Sequence, residues 1–549
     1  MELRRTLTVD LSHDSDDEHD FTSDDEDTEY IPNESESESE SASETSDIEP
    51  VPQCLLEELA VYPENALLSK DKTIRYSREP FEVSRRFSYR HKVINNSGPK
   101  MNACNNVIDP LSAFLLFLAP VEGIVLRMTN LYGVRRYKNE WVNIDLDELH
   151  AVFGLLILAG VYRSFGENLH MLWNEDNGRP IFRKTMSINK FKRIQGCIRF
   201  DDKADRAERR QRDKLAPIRN VYNRWNNHLK AVYIPGKNLT VDEQLLPFRG
   251  RCPFKQYIPS KPAKYGIKIW FLCDSKSFYS YNTQVYVGRD RNARPERNQG
   301  RRVVLELCEG LSERNVTCDN FFTSHSLAVE LHKKKMTIVG AIRKNRSEIP
   351  PILLDMKRKP LYSTEFAYEH ENQIIMISYV PRLNRCVSLL SSYHKKLEFD
   401  TTRKKKPNII NYYNETKCGV DTMDQLIGTY RCKRKVNRWP MALFCNILDV
   451  SAYNAFVIFT SMFPAWNGGV KDSTIRRRLF LVELGNALVE PYIAKRRCGP
   501  RASTSDVPDH HINGATVISA HTRKIKMYLH HVVTNVRNSY APHTNTIFA

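Results

Sequence analysis

Four aspartates carry the chemistry that can be read first. Asp242 stands near the centre of Leu239-Thr240-Val241-Asp242-Glu243-Gln244-Leu245, and Asp319 closes Val316-Thr317-Cys318-Asp319. Asp421 and Asp424 fall three apart in Gly419-Val420-Asp421-Thr422-Met423-Asp424-Gln425. Carboxylates are hard-oxygen ligands, and three gathered at one point can hold two Mg2+ ions about 3.5–4 Å apart. One ion then activates a water or a DNA 3′-hydroxyl and the other stabilises the departing oxygen, which is the chemistry of cutting and joining phosphodiesters. Spacing alone does not make these acids a motif: they lie far apart in the chain, and Asp is mostly a surface or capping residue. Their meaning depends on the elements that hold them.

Lys237–Leu246, Gly266–Asp274 and Phe278–Val287 are short runs rich in Val, Ile, Tyr and Phe, divided by turn residues such as Asp274-Ser275-Lys276-Ser277. They predict an antiparallel meander. A fourth strand at Asn315–Cys318, a helix from Ser324 to Lys335 and a fifth strand at Thr337–Arg343 complete the outline of an RNase H-like sheet. In that outline the fourth strand neighbours the first, which brings Asp319 towards Asp242. Consecutive side chains on a strand face opposite sides, so Asp242 and Glu243 are not expected to line one site together. If the segment from Gly419 is helical, Asp421 and Asp424 share a side, and either completes the set.

Around this sheet the periodicity is helical. Asp109–Tyr132 repeats apolar residues at helical spacing with Pro120 as an expected kink, Asp145–Tyr162 has acids in its first turn, and Ser187–Phe200 and Leu215–Tyr233 continue the pattern. A β-leaning, Lys/Arg-rich insertion covers residues 346–407 and ends in Arg403-Lys404-Lys405-Lys406. A helix starts near Gly419, and another, Trp439–Phe463, is almost wholly apolar on its inner face. Residues 499–549 show no clear pattern.

The net charge of +17 averages two regimes. Residues 1–50 hold 19 acidic and 2 basic side chains, whereas 80 basic and 46 acidic residues follow. Residues 10–49 contain no Lys or Arg and too little apolar surface to offset the entropy of ordering, so the tail is expected to be disordered. It is either a solubilising arm or an acidic arm that competes with DNA for the basic body, strengthened by phosphorylation at Ser35, Ser37 or Ser39. A basic body of this size points to nucleic acid. No stretch approaches 18 consecutive apolar residues, so no membrane partner is expected. The acidic N-terminus is unlike a secretory signal. The 12 Cys include no CxxC pair, which excludes a zinc knuckle and a disulfide framework and fits reduced thiols. Cys252, Cys318 and Cys418 beside the acids read as packing residues, because the metal chemistry needs oxygen.

Several long blocks together resemble the piggyBac transposase family. They are Leu239–Leu246 followed by Phe248-Arg249-Gly250-Arg251-Cys252-Pro253-Phe254, then Tyr257-Ile258-Pro259-Ser260-Lys261-Pro262 with Lys264-Tyr265-Gly266-Ile267-Lys268. Thr317–Ser324, Tyr412-Tyr413-Asn414, Gly419–Gln425 and Lys435–Leu443 follow in order, with Met186–Phe191 in the helical part. The resemblance covers roughly residues 105–497. It implies a multi-lobed α+β fold: an RNase H-like catalytic core of the DDE/D type with an inserted domain, flanked by a split helical dimerisation and DNA-binding domain.

On this reading residues 1–90 are the disordered acidic tail and linker, 91–237 and 431–497 the two helical parts, 238–345 and 408–430 the two parts of the core, 346–407 the insertion and 498–549 a C-terminal tail. Asp242, Asp319 and Asp421 would be the catalytic metal ligands, with Asp424 beside them, using two Mg2+ that Mn2+ can replace.

The implied activity is nicking of transposon ends, hairpin formation by the freed 3′-hydroxyl and joining at TTAA targets by a nuclear homodimer on double-stranded DNA. A domesticated DNA- or chromatin-binding protein of the same fold is the alternative. Expected DNA contacts are Arg249, Arg251, Lys261, Lys264, Lys268, Arg343, Arg346, Lys433, Arg434, Lys435 and Arg438. Many family members end in a cysteine-rich zinc domain. This chain has no cysteine after Cys498, so no zinc is expected.

Overall fold

Asp109 opens the helical half. Its carboxylate accepts the Ser112 N–H at 2.7 Å while the Ser112 hydroxyl accepts the Asp109 N–H at 3.0 Å, a reciprocal box that satisfies two otherwise orphaned donors. The computed structural model describes residues 67–498 apart from 83, 84, 95, 290–295, 356–358 and 471. Helix α1 (Pro110–Tyr137) runs unbroken through Pro120 and past the expected end at Tyr132. The same device, Asp145 with Glu148, starts α2 (Leu146–Val161), which buries every residue from Ala151 on. Helices α3 (Ile188–Cys197) and α4 (Arg219–Val232) follow, α4 laying Trp225 and Leu229 into the core.

The chain then becomes strand: β1 (Asn238–Pro247), β2 (Tyr265–Asp274) and β3 (Ser280–Val285) form the expected antiparallel meander. After helix α5 (Gln299–Leu307), β4 (Asn315–Cys318) pairs parallel with β1, and helix α6 (His325–Lys333) returns the chain to β5 (Thr337–Ala341), parallel to β4. The expected neighbours are therefore in place.

Strands β6 (Thr364–Glu369), β7 (Ile374–Arg382) and β8 (Arg385–Ser391) come from the segment read as an insertion. They extend the same sheet, with β8 antiparallel to β5 and Val339 opposite Ser391. Among the described residues the order is β6-β7-β8-β5-β4-β1-β2, with β3 and the short strand Gln256–Tyr257 on the far side of β2. One reading is corrected here. Residues 67–90 are not a free linker: Tyr76 and Phe81 are buried, Ser77 bridges to Tyr368, and Phe81 joins Tyr368, Ile375 and Leu389 in the core of the added strands. Their aromatic surface is removed from water by this packing. Residues 1–66 and 499–549, with the expected tails, lie outside the described residues.

Helices α7 (Asn408–Thr416) and α8 (Gly419–Thr429) lead back to the helical half through α9 (Trp439–Met462) and α10 (Ser473–Cys498). Among the described residues two helices, Pro110–Glu140 and Trp439–Met462, are long and apolar enough to cross a membrane by length and composition. Both serve as core helices: α9 packs along α1, and its Phe444 meets Phe153 of α2 and Phe200 with ring centroids 5.4 and 4.8 Å apart. Gly154 and Gly485 let α2 and α10 touch through their backbones, since a Cβ on Gly154 would stand 2.8 Å from the Gly485 carbonyl.

Candidate active site

The last paired residues of the parallel ladder are Val241 and Cys318, so the next position on each strand is an acid, Asp242 on β1 and Asp319 after β4. Adjacent parallel strands present such neighbours side by side. The loop after β4 is locked by the Asp319 carboxylate, which accepts the Phe321 N–H at 2.9 Å, and by the Thr323 hydroxyl, which donates to the Asp319 carbonyl at 2.8 Å. Asp319 is thereby held at the strand end.

Helices α7 and α8 bring the later acids. The Thr416 carbonyl accepts the Thr240 hydroxyl at 2.7 Å, and the Thr416 and Thr317 hydroxyls share a 2.7 Å hydrogen bond. One residue thus clamps both strands just ahead of their acids. Gly419 begins α8 against β1, where a Cβ would fall 2.8 Å from Thr240 Cβ. Only glycine permits that approach. Asp421 then lies in the first turn of α8, where the helix dipole favours a negative charge, with its side chain 66% exposed. Asp424 points towards the sheet and accepts the Gln244 amide N–H at 2.7 Å, while the Gln244 Oε1 accepts from Asn446 of α9 at 2.9 Å. Gln244 escaped the sequence reading. Its signal was the spacing of two from Asp242, which puts both on one face of β1.

Lys261 stands among the acids. Its Nζ donates to the Glu243 carbonyl at 3.2 Å and lies 3.7 Å from Glu243 Oε1 and 4.0 Å from Asp421 Oδ1. Burial, then the carboxylates of Glu243, Asp319 and Asp421, push the Asp242 carboxyl up to about 8. Burial and Glu243 also raise Asp319, against the Phe321 and Phe322 N–H groups and Arg343. Asp424 is raised by burial and by Asp421, against the Gln244 hydrogen bond and Lys261. Burial works against the charge of Lys261, yet Glu243, Asp242, Asp421 and Asp424 outweigh it and hold the ammonium above the ordinary lysine value. Glu243 is the second correction: strand alternation set it apart from Asp242, but its carboxylate reaches the same field, because the long Glu side chain turns to Lys261 at the strand's edge.

The basic residues divide into two groups. Arg249, Arg251, Lys264 and Lys435 are exposed. Lys268 lies over the ring of Phe321 at 4.8 Å and Arg343 over the same ring at 5.8 Å, next to Asp319. Arg346 follows, with a buried Nε that has no hydrogen-bond partner. In the run after the third acid, three of the four expected cations are bonded to backbone carbonyls. Lys433 donates to the Pro247 carbonyl at 2.6 Å, Arg434 to the Ser164 and Glu167 carbonyls, and Arg438 to the Ile198 and Gln195 carbonyls at 2.8 and 3.1 Å. Lys433 thus ties this segment to the end of β1, while Arg434 and Arg438 tie it to the helical half, Arg438 by closing the C-terminus of α3. Trp439 is buried edge-to-face on Phe254 at 5.0 Å. Cys252 and Cys318 are buried as packing residues, whereas Cys418 is exposed; it sits at the N-terminal edge of α8, where nothing covers it.

The donor set fits a hard divalent ion in chemistry: Asp242 on β1, Asp319 just after β4 and Asp421 on α8 offer carboxylate oxygens, and burial, Glu243 and the other two raise the Asp242 carboxyl. In the arrangement seen, no three acidic, His or Cys side chains among the described residues close on a single point as a metal group. Lys261 is a cation beside two of the acids, Glu243 and Asp421.

A family model described as Transposase IS4 matches residues 109–456, from the start of α1 through the sheet and into α9. The human PiggyBac transposable element-derived protein 3 is 25% identical over 359 residues, 61% of this chain and 59% of that protein. The human PiggyBac transposable element-derived protein 2 is 25% identical over 374 residues, 64% of this chain and 61% of that protein. The chain thus spans about three-fifths of the length of these curated relatives. Among solved structures, a piggyBac transposase in a synaptic complex with hairpin DNA matches with a TM-score of 0.68 at 34% identity, covering 74% of this chain and 85% of that one.

Proposed function

Since the chain belongs to the piggyBac-type transposase family, we propose that it is a DDE-type nuclease and strand transferase acting on the ends of its own DNA element. What supports this is the placing of Asp242 and Asp319 at neighbouring positions of adjacent parallel strands, with Asp319 and Asp421 both acting on the Asp242 carboxyl. These acids would hold two Mg2+ ions, which when bound would supply activation of the attacking oxygen and stabilisation of the departing one. The chain's own part is positioning. Thr416 and Gly419 fix α8 against β1, Gln244 holds Asp424 facing the strand, and the loop after β4 orients Asp319.

Every step of the proposed course is an attack on phosphorus by an oxygen: water nicks the end, the freed 3′-hydroxyl forms the hairpin, water opens the hairpin to free that 3′-hydroxyl again, and it then attacks the TTAA target, so one acid group serves all four. Arg249, Arg251, Lys264, Lys268, Arg343, Arg346 and Lys435 are proposed to contact phosphates and set register without reading sequence. The solved relative in complex with hairpin DNA supports DNA as the partner. A homodimer on DNA and a nuclear location belong to the same proposal.

Cognate end DNA incubated with the full chain and Mg2+ is expected to give nicks, then hairpins. The second reading, a domesticated DNA-binding protein, is favoured by the similarity to human transposable element-derived proteins. Tight binding of end DNA without any cleavage would select it.

A further inference from the structure

Lys261 belongs to a stiff loop. Pro259 and Pro262 flank it, the Lys261 N–H donates to the Ile258 carbonyl at 3.1 Å, and the Lys264 N–H returns to the Lys261 carbonyl at 3.0 Å. Pro259, Ser260, Pro262 and Lys264 face solvent, yet the Lys261 side chain folds inward and is only 26% exposed. A surface lysine normally keeps its ammonium in water. Here it is turned to the acids.

The contacts are those of a charge placed in a field rather than of a locked ion pair. The one hydrogen bond goes to a backbone carbonyl, and the carboxylate oxygens of Glu243 and Asp421 stand 3.7 and 4.0 Å away. Charge-assisted pairs that fix geometry close to about 2.7–2.9 Å. An ammonium on a flexible four-carbon stem can leave such a position at small cost, which a planar guanidinium forked onto two carboxylates would not do.

We propose that Lys261 is the acid group's built-in counter-ion, occupying the cation position of the metal-free protein and withdrawing when a divalent ion enters. This rests on the metal-site reading above. It accounts for how four carboxylates from two elements, Asp242 and Glu243 of β1 and Asp421 and Asp424 of α8, stay folded together, and it implies that metal binding is a cation exchange. Metal affinity is then weaker than the acids alone would give, because each ion must displace the ammonium.

The test uses the full chain without DNA, with Mn2+ as probe. Titration calorimetry should show Lys261→Met binding Mn2+ more tightly than wild type, by roughly tenfold, the equivalent of about 1.4 kcal/mol. In EDTA the same variant should melt several degrees lower. Lys261→Arg, which keeps the charge, should retain the wild-type melting temperature in EDTA, so a general loss of folding is distinguished from loss of the counter-ion. Lys276→Met, the same change in charge at the opposite end of β2, should alter neither value. Lys261→Met binding Mn2+ no more tightly than wild type would overturn the exchange while leaving the metal site intact. If neither protein binds Mn2+, the metal-site reading itself falls and the exchange with it.

Discussion

Asp242 is the residue where folding and function oppose each other. Its carboxyl is raised to about 8 because burial and three nearby carboxylates penalise its charge. The folded state therefore binds more protons than the unfolded one between about pH 4 and pH 8, and stability falls as pH rises through that window. The buried Asp449 of α9, raised to about 7 by burial, adds to the same slope. In EDTA, Asp242→Asn should flatten the slope and raise the melting temperature at pH 8, as expected when strain kept for function is removed. A wild-type melting temperature independent of pH between 5 and 8 would contradict the crowding. Gln244 makes a second case: Gln244→Leu strips partners from Asp424 and from the buried Asn446, and each unsatisfied group should cost about 1–3 kcal/mol. Urea unfolding measures this. The four aspartates were legible because they fall inside blocks that resemble the piggyBac family, which their spacing alone did not supply. Gln244 and Lys261 were not, since their roles exist only across elements that are distant in sequence.

At the scale of elements, the sheet was legible and the way its edges are covered was not. Runs of Val, Ile, Tyr and Phe separated by turn residues gave β1 to β5 nearly to the residue, because period and turn chemistry are local properties. The pairing of β8 with β5 has no local signature, and neither does the docking of Tyr76 and Phe81 on the added strands. The carbonyl contacts of Lys433, Arg434 and Arg438 were not legible for a related reason: a basic run reads alike whether its cations meet phosphates or backbone carbonyls.

Two close approaches give tests at this scale. Gly419→Ala should push α8 off β1, lowering Mn2+ affinity sharply while costing about 1–3 kcal/mol of stability. Gly154→Ala should loosen α2 from α10 and lower the melting temperature with Mn2+ affinity unchanged. Equal metal affinity in wild type and Gly419→Ala would show that α8 does not set the site.

For the whole molecule, the charge has two parts with opposite consequences. Lys and Arg outnumber Asp and Glu beyond residue 50, and the exposed arginines and lysines around β1 and β2 place part of that excess beside the acids. The first 50 residues carry 19 acids against 2 bases. Deleting them should tighten non-specific duplex binding and steepen its salt dependence, because each phosphate contact released from competition adds about one counter-ion to the slope. Affinity unchanged at every salt concentration would leave the tail as a solubilising arm.

The central claim is that three acids from β1, β4 and α8 act as one catalytic group, and hairpin formation tests it most directly. With cognate end DNA and Mg2+, wild type should convert nicked ends to hairpins, while Asp242→Asn, Asp319→Asn and Asp421→Asn should each lose this by several orders of magnitude with DNA binding retained. Hairpins persisting in any one of the three at the wild-type rate would contradict the account.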